Sequence, residues 1–172
     1  MKKILLLLSF IPSILFSQDK LKDQFEYQVT YKLTYQLDST NIDSEKSEYM
    51  YLFLGEYSQY LSRAKTLSNK IVRNGNSVHN SRAALTHFHY QIVKNYNESS
   101  LYYLLKIPKM DDRFRYDQNK ELFNWEIEDE TKSIRDYKVQ KATTSFAGRD
   151  YVAWFTPEIA ISDGPYKFNG LP

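Results

Sequence analysis

The chain has 172 residues and no cysteine, and its 23 basic and 21 acidic residues give a formal net charge of +2. The absence of cysteine excludes disulfides, thiol nucleophiles and iron–sulfur ligation, and the near-neutral charge gives no support for electrostatic binding of nucleic acid. The length suits one domain, and the 15 tyrosines favour β-structure.

The first 17 residues have the layout of a cleaved secretory signal peptide. Lys2 and Lys3 form a short basic region, residues 4–16 are nearly all apolar, and Ser17 is a small residue at the expected cleavage point. A membrane-spanning helix needs about 20 apolar residues, and this run is shorter and contains Pro12. We therefore expect cleavage after Ser17.

Cleavage would have two consequences for the remaining chain. It would remove two of the 23 basic residues and none of the 21 acidic ones, which leaves 21 of each and no net charge. It would also leave a single β-rich domain over residues 18–172 without a transmembrane helix. We expect the mature protein to be exported across the inner membrane. It would then reside in the periplasm, at the outer membrane or outside the cell.

The first half of the mature chain predicts strands and one helix. Residues 25–38 alternate between apolar or aromatic and polar residues, and this period of two indicates a strand with one wet face. Two β-prone runs, 48–54 and 57–62, flank Gly55-Glu56 and predict a hairpin. Residues 61–72 place apolar side chains three and four apart, which predicts a short helix that ends at Asn74-Gly75.

The second half continues with short β-prone runs separated by turn residues. Strands are predicted at 88–96, 101–107, 113–116, 121–127, 137–146 and 150–156. The chain thus contains about eight strands and one helix and belongs to the mainly β (α+β) class. Successive hairpins predict an antiparallel meander, which we expect to curve around the helix or to form a half-barrel.

The last quarter of the chain carries a string of recognisable motifs. Residues 164–168 read Gly-Pro-Tyr-Lys-Phe and residues 170–172 read Gly-Leu-Pro. Upstream stand Gln140-Lys141-Ala142, Phe146-Ala147-Gly148-Arg149, Ala153-Trp154-Phe155-Thr156 and Ile159-Ala160-Ile161, with Val139 where a cysteine is often seen. This string resembles the GLPGLI family of secreted Bacteroidetes proteins, which is named for a Gly-Leu-Pro-Gly-Leu-Ile run.

The resemblance has implications for completeness and for function. The chain stops after the third residue of the six-residue motif, so we expect the domain to be incomplete at its C-terminus. The resemblance implies no catalytic residue, cofactor or metal. It does single out a set of motif residues with a structural or binding role: Gly148, Arg149, Trp154, Gly164, Pro165, Lys167, Phe168, Gly170, Leu171 and Pro172.

Other residues suggest chemistry only weakly. His87 and His89, with His79 upstream, could hold a metal, but surface histidines explain them better. The acidic residues at 126–130 lack the spacing of a calcium loop and are interpreted as a solvated turn. Asp111 and Asp112 are adjacent and would point to opposite faces of a strand, so a charged turn is favoured.

Two features near the C-terminus are more suggestive. Arg149, between Gly148 and Asp150, could bind a carboxylate or phosphate, although an ion pair within the fold is the simpler interpretation. Trp125 and Trp154 could line an apolar pocket or belong to the core. The chain has no Gly-x-Ser-x-Gly, P-loop or His-Glu-x-x-His motif.

Three functional hypotheses remain open. The first is a non-catalytic secreted or envelope protein that binds an unknown protein or an apolar ligand. The second is a hydrolase with an unfamiliar site near Arg149, where histidines or carboxylates would converge. The third is an outer-membrane β-barrel, for which the alternation at 25–38 is suggestive and the predicted helix is not.

Overall fold

The computed structural model describes residues 25–73, 85–107 and 112–171. Several features predicted from the sequence lie outside these residues: the signal peptide, Asn74-Gly75, His79, Asp111 and Pro172.

The described residues form two antiparallel sheets in which each strand pairs with its neighbour in sequence. The first sheet contains, in order, β1 (Phe25–Gln36), β2 (Glu45–Gly55), β3 (Tyr57–Ser62), β4 (Tyr90–Asn95), β5 (Ser100–Lys106) and β6 (Arg113–Asn119), and the second contains β7 (Glu126–Ile134), β8 (Tyr137–Phe146) and β9 (Arg149–Phe155). A short 3-10 helix (Ile42–Ser44) precedes β2. The prediction of a mainly β antiparallel meander is confirmed, with the meander divided into two sheets.

The division falls at residues 120–125, where part of a strand was expected. The Lys120 N–H donates to the Ser99 carbonyl at 2.6 Å, and the Leu122 N–H turns back to the Lys120 carbonyl at 2.9 Å. The Glu121 N–H donates to the Asn119 side chain at 3.0 Å. The bond to Ser99 extends the pairing of β5 and β6 by one residue. The local bonds of the Glu121 and Leu122 N–H groups then turn the backbone away from the ladder, so the sheet ends there.

The core of the first sheet lies on one of its faces. A single row of side chains crosses all six strands, because the register places each opposite the next. Its members are Val29, Leu52, Tyr60, Ile92, Tyr103 and Tyr116. The period of two in each strand sends these side chains to the same face, and the buried core cluster contains Leu52, Tyr60 and Ile92 together with Met50, Leu54 and Leu101.

The segment that follows β9 covers this core. Ile161 and Tyr166 pack against the cluster, whereas no side chain from the described part of the helix belongs to it. The helix α1 (Arg63–Arg73) lies nearest to β2 and β3. It begins after Ser62, whose hydroxyl accepts the Lys65 N–H at 3.1 Å and caps it. The sheet therefore packs against a C-terminal segment rather than curving around the helix.

The second sheet corrects the interpretation of the acidic run. Residues 126–130 belong to β7 and not to a turn, and Glu128 and Glu130 bind the Lys141 ammonium of β8 at 2.9 and 3.1 Å. Alternation does not reveal this strand, because its side chains are exposed on both faces except Glu128. Among the described residues, no helix is long and apolar enough to cross a membrane.

Candidate functional site

The site is built around a buried lysine on the first sheet. Lys94 occupies an inward position of β4, opposite Ser58 and Leu101 on the adjacent strands, and its side chain is 1% exposed. Its ammonium forms an ion pair with Asp163 and donates to the carbonyls of Gly164 and Phe168, both at 2.8 Å. Three acceptors therefore match the three N–H groups of a buried ammonium.

The electrostatics of this ion pair favour a fixed geometry. Burial lowers the pKa of the Lys94 ammonium, and the negative charge of Asp163 acts in the opposite direction. The Asp163 carboxylate also accepts the Tyr96 hydroxyl at 3.0 Å and the Gly164 N–H at 2.7 Å. Each charge is thus compensated and hydrogen-bonded, as a buried ion pair requires.

The motif residues form a tight loop around the Lys94 ammonium. Asp163 and Asn169 are bridged as antiparallel partners, and within the loop the Phe168 N–H donates to the Pro165 carbonyl at 3.1 Å. A Cβ on Gly164 would lie 3.3 Å from the Phe168 carbonyl oxygen, so glycine permits the close approach. The loop presents the backbone oxygens of Gly164 and Phe168 to Lys94.

Residues before the second sheet hold the other side of the loop. The Trp125 indole N–H donates to the Asn169 carbonyl at 2.9 Å, and the Asn169 side-chain amide donates to the Lys120 carbonyl at 3.0 Å. The Phe168 ring packs against Phe123 and Tyr151, with centroids 4.8 and 5.1 Å apart. Phe168 thus joins the C-terminal loop to β9.

The Lys167 side chain extends from the C-terminal loop toward the first sheet. It is 5% exposed, and its Nζ lies 5.2–5.5 Å from the ring centroids of Tyr103, Tyr116 and Tyr166. No carboxylate among the described residues pairs with it. Burial lowers the pKa of the Lys167 ammonium, and the faces of the tyrosine rings compensate part of its charge.

A cleft with mostly apolar walls and a volume of about 450 Å³, here called the apolar cleft, opens between β9 and the segment that follows it. Its walls come from β9, the C-terminal loop and one side chain of β1, and they include Tyr31, Trp125, Trp154, Ile161, Phe168 and Leu171. The volume lies within the range of about 300–1,000 Å³ typical of small-molecule sites.

The polar groups of the apolar cleft are largely engaged in contacts within the protein. Asp163 is paired with Lys94, and the Asn169 side chain donates to the carbonyls of Lys120 and Lys167. Burial, and then the Asp163 charge, raise the pKa of Tyr31 to about 12, so this phenol is neutral at physiological pH. The apolar cleft therefore offers shape and apolar contact, with few free polar groups.

The structure brings together half of the predicted motif residues. Trp154, Gly164, Pro165, Phe168 and Leu171 line the apolar cleft. Gly170 lies beside it, since a Cβ there would be 3.8 Å from the Trp125 ring, and Lys167 holds the loop from behind. Trp125 and Trp154 both belong to the lining, and the Lys132 ammonium lies 3.6 Å from the ring centroid of Trp154.

Gly148 and Arg149 lie elsewhere. Ala147 and Gly148 form the two-residue turn of the β8–β9 hairpin, with φ values of 50° and 74°, which are typical of a type I′ turn. Arg149 is exposed at the start of β9 and forms no ion pair with any described residue. The two described histidines, His87 and His89, precede β4 in the other sheet, so they do not converge with Arg149.

The weaker sequence signals do not form a site either. No group of three or more histidine, aspartate or glutamate side chains among the described residues could hold a metal ion. Asp112 is exposed just before β6, and Asp150 accepts a hydrogen bond from Ser145 at 2.6 Å.

Sequence reasoning missed Lys94 and Asp163, the pair on which the site depends. One local signal for Lys94 was present, because β4 alternates Tyr90, Ile92 and Lys94 on its inward side. A lysine in the inward register of a strand must find a buried partner. Comparison with family models, with curated proteins and with solved structures finds no match for this chain.

Proposed function

We propose that this chain is an exported, non-catalytic binding protein similar to the GLPGLI family, and that it takes an apolar ligand in the apolar cleft. The observation that carries the proposal is the cleft of about 450 Å³ whose walls contain five of the motif residues. A motif that served only to form a turn would not need aromatic side chains around a cleft.

The character of the walls indicates the ligand class. Trp125, Tyr151 and Phe168 supply large aromatic surfaces, and Ile161 and Leu171 supply aliphatic ones. Removing apolar surface from water contributes about 25 cal/mol per Å². An acyl chain or an aromatic group would gain most from these walls, while a highly polar ligand would find few free partners.

The two tryptophans provide a direct test, because the chain contains no others and both line the cleft. We expect dodecanoate, as an acyl-chain probe, or naphthalene, as an aromatic probe, to change the tryptophan emission in a saturable way. The Ala153→Phe variant should fill the cleft, since Ala153 belongs to its walls, and should weaken binding by about tenfold or more.

A matched control separates filling of the cleft from a general effect of an added ring. Thr30 is exposed on β1, so the Thr30→Phe variant adds the same ring outside the cleft and should bind as the wild type does. The proposal fails if neither probe changes the emission, or if Ala153→Phe binds as tightly as Thr30→Phe.

Export is tested separately. Expression of the whole reading frame in a Gram-negative host, followed by N-terminal sequencing of the mature protein, should give a chain that begins at Gln18. A protein that retains Met1 in the cytoplasm would contradict the proposed export and would leave the binding test unaffected.

A further inference from the structure

A second, larger cleft lies beside the helix, away from the apolar cleft. Its volume is about 710 Å³. The lining includes basic side chains from α1, from the residues before β4, and from β5 and β6: Lys65, His89, Lys106, Arg113 and Arg115. We call it the basic cleft. None of the described residues that line it is acidic.

This concentration of charge is unfavourable in the empty protein. Lys65 is half-buried, and its pKa is lowered first by burial and then by the positive charges of Lys106 and Arg113. The Lys65 ammonium donates to the His89 carbonyl at 3.3 Å, which is a long contact and neutralises no charge. Like charges in a recess repel one another more strongly than on an open surface.

Glu48 and Asp117, two carboxylates close to the basic cleft, have other partners. Both oxygens of Glu48 accept hydrogen bonds, from the Tyr35 hydroxyl and the His87 N–H at 3.0 Å and from the Thr86 hydroxyl at 2.6 Å. Asp117 binds the Arg115 side chain at 3.0 Å where both side chains are exposed. Lys65 and Arg113 form no ion pair with any described residue.

We propose that the basic cleft binds a small molecule that carries a phosphate-type oxyanion. Lys65 and Arg113 would supply the charge-assisted hydrogen bonds, and a guanidinium suits the bidentate recognition of phosphate oxygens. The Ser68 hydroxyl lies in the same lining and can donate as well. The negative charge of the ligand would offset the repulsion among these cations, so binding would stabilise the cleft.

The size of the basic cleft narrows the ligand class further. A volume of about 710 Å³ exceeds what a single phosphate fills. Leu104, Leu105 and Phe114 add apolar surface beside the cations. Lys65 is half-buried, whereas Lys106, Arg113 and Arg115 are exposed. The arrangement favours a soluble phosphate ester or diphosphate with an organic part, which can reach Lys65, over a flat membrane surface.

The test is calorimetric titration of the purified protein with inorganic pyrophosphate at low ionic strength. We expect saturable binding that weakens as salt is added. The double variant Lys65→Gln/Arg113→Gln should bind pyrophosphate at least about tenfold more weakly. As a control, Lys32→Gln/Lys46→Gln removes two exposed charges from β1 and β2 and should leave the affinity unchanged.

Three outcomes would overturn the proposal. The first is the absence of pyrophosphate binding, and the second is an equal loss of affinity in the two double variants, which would mean non-specific attraction. The third is binding to phosphatidylglycerol vesicles without any binding of pyrophosphate, which would assign the cations to a membrane surface. Because the variants lie outside the apolar cleft, the tryptophan emission test remains an independent result.

Discussion

Lys94 and Lys167 are both almost fully buried, and they hold the same C-terminal loop in two different ways. Lys94 extends from β4 into the loop and meets one carboxylate and two carbonyl oxygens. Lys167 extends from the loop back to the sheet and meets three tyrosine rings, with no carboxylate partner among the residues that the structure describes. The first contact is made of matched charges and hydrogen bonds, and the second of packing around a cation.

The two contacts should therefore respond differently when the lysine is substituted. Removal of one member of a buried ion pair leaves the other charge buried and uncompensated, which is strongly destabilising. Removal of a cation from an aromatic surround leaves only neutral rings, which can pack against an apolar side chain of similar length. Two lysines with similar burial should therefore contribute very differently to stability.

The largest effect is expected for Lys94→Met. This variant leaves the Asp163 carboxylate buried without its cation, so the free energy of unfolding should fall by about 3–5 kcal/mol. Urea denaturation followed by circular dichroism measures the change. Asp163→Asn in the same chain should restore part of the loss, and the exposed Lys46→Met serves as a control; a loss for Lys94→Met no larger than the control's would contradict the role of the pair.

High pH should affect the tyrosine contact of Lys167, because burial raises the pKa of each of the surrounding tyrosines. Burial, followed by the neighbouring Tyr166 and Tyr116, raises the pKa of Tyr103 to about 12. The pKa of Tyr31 is likewise raised to about 12, by burial and then by the Asp163 charge. A raised folded pKa means that the stability is complete below pH about 10, the unfolded value, and is lost as pH rises through the folded value.

We therefore expect the free energy of unfolding to decline from about pH 10 upward and to be clearly lower at about pH 12. Denaturation at a series of pH values, with tyrosinate absorbance as a second signal, measures the decline. The Tyr103→Phe variant removes one titrating group and should flatten the slope. A stability that does not change up to pH 12 would exclude neutral tyrosines as the basis of this contact.

Gly164→Ala tests the Lys94 contact from the side of the loop. The added Cβ would lie 3.3 Å from the Phe168 carbonyl oxygen, which must then move away from the Lys94 ammonium. We expect a loss of about 1–2 kcal/mol in the free energy of unfolding. The nearby exposed Ser162→Ala variant should change it by less than about 0.5 kcal/mol, and equal effects of the two would argue against the close approach.

The smallest effect is expected for Lys167→Met. Methionine is flexible and packs well against aromatic rings, and it avoids the cost of burying a charge. The free energy of unfolding should change by less than about 1 kcal/mol in the same urea experiment. A loss as large as that of Lys94→Met would mean that the two lysines are not distinguished by their surroundings.

Much of the fold followed from local sequence pattern. The alternation of residues 25–38 marks β1, and the turn residues around Gly55 and Gly148 mark two hairpins that the structure contains. Both signals act over a few residues, where backbone sterics and side-chain period decide the conformation. The strand β7 was largely missed because it is exposed on both faces and carries no such period.

The division into two sheets could not be predicted in this way. Residues 121–127 have a β-prone composition, yet most of them serve as a connection, because the Glu121 and Leu122 N–H groups donate to Asn119 and Lys120 instead of to a neighbouring strand. The apolar stripe at 61–72 also predicted that the helix would pack into the core, but its described part contributes no side chain to the core cluster. Its place is taken by Ile161 and Tyr166, which lie far along the chain.

The sequence by itself determined the strand-rich meander and the motif string of the last quarter, because these depend on composition and on short-range period. Only the tertiary structure decided that Lys94 meets Asp163, 69 residues away, and that basic residues from three separate elements and one connecting segment share one cleft. Charge compensation acts through space, and its partners become visible only when the fold has brought them together.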